Sequence, residues 1–492
     1  MDTGTHALNS TCVLVLLCTN TLFIRYVYPK IMVLNSLNQL YNFNDAKSLM
    51  AKELKGIAQG DGCYKEPVIT RIEIFVKDLD LLSWLSQQSS KTKIYGSHQT
   101  GLYAIAGVGE ALCVSGDQVE SHEKIFERLR LYLQSDSKRL QFYGGFCFDQ
   151  EHLGREWASF GAYKFVIPQF EVATKEGLMI FCCNVIQHGQ GTKSIEAVLD
   201  ELERLRWDGQ MLKDVAVHLD SRRDEPTQDA WRRNVQSVLS EIRQKNCEKI
   251  VLARRTRFEF NKPLNPWLVM QKLKGVTPNS YHFCFQFDGE RLFLGASPER
   301  LFIRSQNDIQ SEALAGTRPR GKSESDDHRL KGELKSSGKE QHEHRVVVRM
   351  IEEGLKPLCQ KLNVHPQEIL SVPNGHHLRT RVQGVLENGI KDEQIFQALH
   401  PTPAVGGVPT EEALGLIEEL EGFSRGWYTG AVGYVGPQQT EFVVAIRSAM
   451  VHNRQMIVYA GAGIVEGSTA KDEWQEIEHK IGNFLRVLNA KD

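Results

Sequence analysis

Along the first half of the chain, apolar and polar positions alternate with a period of two, in short runs broken by Gly, Pro or Asn. VITRIEIFV from 68, GLYAIAGVG from 101, ALCVSG from 111, FYGGFCFD from 142, FGAYKFVIPQFEVATKEG from 160 and LMIFCCNVI from 178 all follow this pattern. Strand side chains point alternately to two faces, so the pattern predicts strands with a buried side. Helical periodicity replaces it over 120–135 and 194–206. In the second half, TQDAWRRNVQSVLSEIRQKN predicts a helix capped by Thr227, and KIVLARRTRFEF from Lys249 predicts a strand. A helix over 264–274, strands over 281–287 and 291–296, and a turn at Ser297–Pro298 follow. Long amphipathic helices over 325–362 and 470–489 bracket strands at 430–435, 441–447 and 455–460. The polar, proline-bearing stretch 217–228 reads as a connector.

Helices interleaved with antiparallel hairpins predict an α+β fold with large antiparallel sheets, not a doubly wound parallel one. No glycine loop of the dinucleotide or P-loop type occurs, which argues against a nucleotide cofactor. The chain divides into an N-terminal extension (1–35), a first half of the fold (36–216) and a second half (226–492) that carries the candidate chemistry.

With 492 residues, 41% hydrophobic and 24% charged, the chain can bury a large core. A net charge of -2 and a pI near 6.8 argue against binding nucleic acid or an anionic membrane by bulk electrostatics. The ten cysteines show no CxxC spacing, so a reducing cytoplasm without disulfides is expected. The apolar run from Cys12 to Ile24 is interrupted by Asn20 and followed by Arg25, and no basic segment precedes it. It fails the tests for a spanning helix and a signal peptide and reads as an extension, with Met32 as an alternative start.

Candidate chemistry centres on glutamates three apart. Glu340 and Glu343, and Glu473 and Glu476, each share a helix face, and two such faces together suit a hard divalent cation, magnesium first. Glu473 also fits the first turn of a helix capped by Ser468 or Thr469, where acids favour the dipole. His342 and His344 are two apart and diverge, which disfavours a transition metal. Lys249 shares a strand face with Val251 and Ala253; desolvation there would lower its pKa and free it as a base, whereas a strand-end lysine would snorkel to water. Glu299, after LFLGASP, is placed either to donate a proton or to pair with Arg300 or Arg318. Arg447 and the run from Gly461 to Gly463 could hold an anion, or be a surface cation and a turn.

The order of ten motifs changes the weight of these signals. KIVLARR, GASPERL, EALAGTRPRG, KEQHEH, HLRTRVQG, LHPTPAVGG, WYTGAVGYV, FVVAIR, AGAGIVEGS and EWQEIEHK follow one another over 249–480. This series resembles the chorismate-utilising enzymes, which include isochorismate, salicylate, anthranilate and aminodeoxychorismate synthases. The resemblance implies two large packed antiparallel sheets with helices outside, and a cleft for chorismate and Mg2+. It implies Glu343 and Glu476 as principal metal ligands, supported by Glu340 and Glu473. Arg447, Tyr428, Gly461 and Lys480 would hold substrate carboxylates, with His377, Gly316 and Thr317 lining the pocket. Lys249 stands where the ammonia-using branches carry glutamine and the water-using branches a lysine base. Ala315 stands where aminodeoxychorismate synthases carry a nucleophilic lysine.

The resemblance therefore implies an isomerase that forms isochorismate by water attack at C2, with Lys249 as base and Glu299 as acid. TRPRG at 317–321 looks more like the ammonia-using branches. Salicylate synthesis, by further loss of pyruvate, and a non-catalytic chorismate- or metal-binding role are the alternatives. No glutamine amidotransferase partner is required, and a monomer or homodimer is expected. Menaquinone, siderophore and salicylate routes are the implied uses of the product.

Overall fold

Two sheets, each assembled from both halves of the chain, make up the architecture. The computed structural model describes residues 30–36, 39–59, 68–118, 120–133, 139–149, 153–187, 193–372 and 375–488. Most of the apolar extension lies outside these residues. Its end, Lys30–Val33, pairs parallel with Val68–Val76. Asn35 prolongs that ladder by donating to the Phe75 carbonyl at 2.9 Å and accepting from the Phe75 amide at 2.8 Å.

The larger sheet has 13 strands. The halves of the chain meet within it where Lys93–Ser97 pairs antiparallel with Tyr281–Gln286. Toward one edge, Ser448–His452 pairs with Gln455–Ile464, which pairs with Lys249–Phe260, which pairs with Leu219–Glu225. The second sheet has 10 strands, and its halves meet where Phe142–Phe146 pairs with Ala431–Val435. On the helix-covered face of this second sheet lies an aromatic cluster of Phe146, Phe165 and Phe442 from its strands and Phe396 from the helix Asp392–Leu399, with the Phe146 and Phe396 ring centroids 4.6 Å apart. Such rings bury large apolar areas and attract edge to face. The α+β expectation of two large, mostly antiparallel sheets is borne out.

Two helix caps fall where expected, with Thr469 rather than Ser468 at the second. Thr227 caps Gln228–Arg243 by accepting from the Ala230 amide, and Thr469 caps Ala470–Val487 by accepting from Asp472. Two expectations are corrected. The connector 217–228 is largely a strand, Leu219–Glu225, at the edge of the larger sheet. Its charges form ion pairs and keep the edge polar, which hides the strand's period. The single helix over 325–362 is two helices, Glu324–Ser336 and Gly338–Leu355, followed by the strand Cys359–Val364. Ser337 breaks the run because its hydroxyl accepts from the Glu340 amide and starts a new helix. The described cysteines, adjacent Cys182 and Cys183 among them, are free thiols. No helix of the described residues is long and apolar enough to cross a membrane.

Candidate active site

On Lys249–Phe260, the alternation puts Lys249, Val251 and Ala253 on one face. Opposite Val251 and Ala253 in the antiparallel ladder stand Gly463 and Gly461. Directly paired residues share a face, so the two glycines leave a hollow beside Val251. A Cβ at Gly463 would stand 2.6 Å from Glu343 Oε1 and 2.9 Å from Lys249 Cε. The glycine-rich run thus makes room for a lysine and a glutamate, not for an ordinary turn.

Lys249 is fully buried, and its ammonium donates to Glu343 Oε1 at 2.8 Å. It does not snorkel. The other three glutamates are also ion-paired. Glu340 accepts from Arg318 at 2.6 Å, Glu473 from Lys339 at 2.5 Å, and Glu476 pairs with Lys480 at 2.6 Å. Burial, and next Glu343, push the Glu340 carboxyl above its ordinary pKa; burial, and next Glu476, do the same to Glu473. Burial opposes ionisation of Glu476, but Lys480, Lys339 and Arg447 hold its pKa below the ordinary value. These mutual influences place the four carboxylates in one electrostatic neighbourhood. Among the described residues, no three acidic, histidine or cysteine side chains form a ready-made coordination shell. As hard oxygen donors, the four glutamates fit magnesium by chemistry.

Beside these groups is an outer hollow of 570 Å3, within the usual ~300–1,000 Å3 of small-molecule sites. An inner chamber of 80 Å3 shares Thr317, His377, Arg447, Glu476 and Lys480 with it. Glu299 lines the inner chamber and is 3% exposed. Its carboxyl has no hydrogen-bond or ion-pair partner among the described residues. Burial, and next the Glu312 carboxylate, push its pKa up to about 8, against the pull of Lys249, Lys480 and Arg447. The alternative ion pairs do not form, because Arg300 binds Glu441 and Arg318 binds Glu340.

Arg447 lines both hollows, and its guanidinium has no hydrogen-bond or ion-pair partner among the described residues. Its backbone has φ 51°, in the left-handed region that costs a non-glycine residue energy. Lys480 donates to the Gly461 carbonyl at 2.7 Å. Gly316 takes φ 80°, and the Thr317 amide that follows donates to Glu340 at 3.3 Å. Thr317 Oγ1 lies 3.0 Å from His377 Nδ1. Burial, then Arg447 and Lys480, lower the His377 pKa to about 3, so the ring is neutral. Tyr428 lines the inner chamber and stacks on Tyr459, with ring centroids 5.3 Å apart. Ala315 lines the same chamber.

The structure therefore gathers Lys249, Glu299, Gly316, Thr317, Glu340, Glu343, His377, Tyr428, Arg447, Gly461, Glu473, Glu476 and Lys480 around two connected hollows. His342 is exposed and His344 is buried against Thr380, so the two histidines do diverge. Sequence reasoning missed Lys339 and the role of Arg318 as counter-ions. Its one available signal was the Lys339–Glu340 adjacency. It also missed Ala404 and Val405, which line the chamber from the LHPTPAVGG loop.

The chain is similar to known proteins over most of its length. The family model described as chorismate binding enzyme matches residues 56–489. The chain is 33% identical over 409 residues to isochorismate synthase 2, chloroplastic, of Arabidopsis thaliana, covering 80% of this chain and 72% of that one. It is 30% identical to isochorismate synthase MenF of Bacillus subtilis, covering 85% and 92%. The structure of the menaquinone-specific isochorismate synthase MenF of Escherichia coli superposes with a TM-score of 0.78 at 28% identity, over 90% of this chain and 99% of that one. Fold and sequence thus converge, and the chain belongs to the chorismate-binding enzymes.

Proposed function

We propose that this enzyme is an isochorismate synthase that moves the hydroxyl function of chorismate from C4 to C2. The observation that carries this reading is Glu299, a buried carboxyl unpartnered among the described residues that keeps its proton at neutral pH, in a chamber also lined by Glu343, the ion-pair partner of Lys249. The names of the relatives support the same reaction. Ala315 supports water as nucleophile, since no amine stands at that position to form a covalent intermediate.

Lys249, in the neutral form that has left its ion pair with Glu343, takes a proton from water at Nζ as the water oxygen bonds to C2. The ring double bonds shift and the C4–O bond breaks. Glu299 gives its proton to the departing hydroxyl, which leaves as water. One water enters and one leaves; proton exchange with solvent restores neutral Lys249 and protonated Glu299. General acid and base groups of this kind each contribute roughly 10²–10⁴-fold. Arg447 takes a substrate carboxylate in a bidentate pair, with Lys480, Tyr428 and the Gly461 backbone beside it. His377 and the Gly316–Thr317 turn close the same wall. Glu343 and Glu476 would hold magnesium, with Glu340 and Glu473 in support. When bound, the ion neutralises and orients the C1 carboxylate.

The test is to incubate the enzyme with chorismate and magnesium, without an ammonia source, and separate the products. Isochorismate alone supports the reading. Turnover only with ammonium overturns it, and fluorescent salicylate with released pyruvate makes the enzyme a salicylate synthase.

A further inference from the structure

Arg254 lies on the strand that carries Lys249, but on its opposite face. It is 0% exposed, and its guanidinium stacks 3.9 Å from the ring centroid of Trp474. Nη2 donates to Glu478 at 2.6 Å, and Nε lies 3.5 Å from Asp224 Oδ1. Trp474 and Glu478 are one turn apart on Ala470–Val487, the helix that also carries Glu473 and Glu476 on a different face.

Two features set this arginine apart from an ordinary core residue. Among the described residues its Nε and Nη1 have no hydrogen-bond partner, so a buried cation is only partly satisfied. Stability alone does not favour that arrangement, since a well-packed apolar side chain serves a core as well or better. Both carboxylates also have other partners: Glu478 pairs with Arg222 at 2.5 Å, and Asp224 accepts from Thr256 at 2.7 Å. What Arg254 provides is a rigid planar bridge between the Lys249 strand and the helix.

We propose that Arg254 is a positioning residue that sets the C-terminal helix against the Lys249 strand, and so fixes where Glu473 and Glu476 stand relative to Lys249. This rests on those glutamates being metal ligands. The test is calorimetric titration of the full chain with magnesium, for wild type, Arg254→Met, Arg254→Lys and Arg222→Met, with folding checked by circular dichroism. Wild type should bind. Arg254→Met should bind about tenfold or more weakly, as outer-shell supports of metal sites do. Arg254→Lys should not restore binding, because an ammonium neither stacks nor bridges as a plane. Arg222→Met, which removes a charge from the same network, should stay within about twofold of wild type. If Arg254→Met fails to fold, Trp474→Leu, which removes the stack but keeps the ion pairs, should still weaken magnesium. Unchanged magnesium affinity in the folded Arg254 variants, or in Trp474→Leu, overturns the assignment. A wild-type chain that takes no magnesium overturns the metal reading and this assignment with it.

Discussion

Lys249 Nζ and Glu343 Oε1 stand 2.8 Å apart, so the proposed base and a proposed metal ligand are each other's counter-ions. Lys249→Ala should lower turnover by roughly 10²–10⁴-fold, the usual contribution of a positioned base. Chorismate should still bind, as calorimetry can show, because Arg447 and Lys480 remain. Near-normal activity in this variant would remove Lys249 from the mechanism.

Glu299 gives the reaction its alkaline limit. The acid must be protonated and its pKa is about 8, so kcat should fall as pH rises through about 8. Glu299→Gln should lose activity by a similar ~10²–10⁴-fold. Stability has a sign of its own. The folded chain holds this proton up to about 8, whereas the unfolded chain releases it near 4.5, so this group's contribution falls as pH rises between those values. The melting temperature of Glu299→Gln relative to wild type should therefore climb from pH 5 to pH 9. A flat difference would contradict the protonated assignment.

Glu476→Ala should raise the magnesium concentration for half-maximal activity by at least about tenfold and lower kcat as well. The substitution also frees Lys480 from its 2.6 Å ion pair. Glu476→Gln, which keeps the shape and removes the charge, should behave alike. An unchanged magnesium requirement in both variants would exclude Glu476 as a ligand.

Gly463→Ala tests the hollow itself. The new methyl would press on Glu343 and Lys249 at 2.6 and 2.9 Å. The fold should survive, since both neighbours are side-chain atoms, but their mutual geometry should not. A drop in kcat of about 10²-fold with little change in melting temperature is expected, as for small misplacements of reacting groups.

Arg447→Ala should raise the chorismate KM by about 10–100-fold, the worth of one charge-assisted pairing. A change in kcat alone would assign Arg447 another task.

Much of this was legible locally. KIVLARRTRFEF is a strand over the full run Lys249–Phe260, because its ladder partner, Gln455–Ile464, supplies the buried face that the alternation implied. The caps at Thr227 and Thr469 were readable because a capping side chain acts within three residues. What was hidden depends on distance along the chain. Lys339 meets Glu473 across 134 residues, and Arg254 meets Glu478 across 224. No local period encodes such pairs. The strand Leu219–Glu225 was hidden for the same reason, since its charges make sense only beside Arg254, Arg255 and the C-terminal helix.

The most direct measurement is turnover of chorismate in water enriched in 18O, followed by mass analysis of the product. If Lys249 activates water for attack at C2 while Glu299 expels the C4 hydroxyl, each isochorismate formed gains one solvent oxygen, at C2. Isochorismate that retains the original hydroxyl oxygen of chorismate would contradict the mechanism.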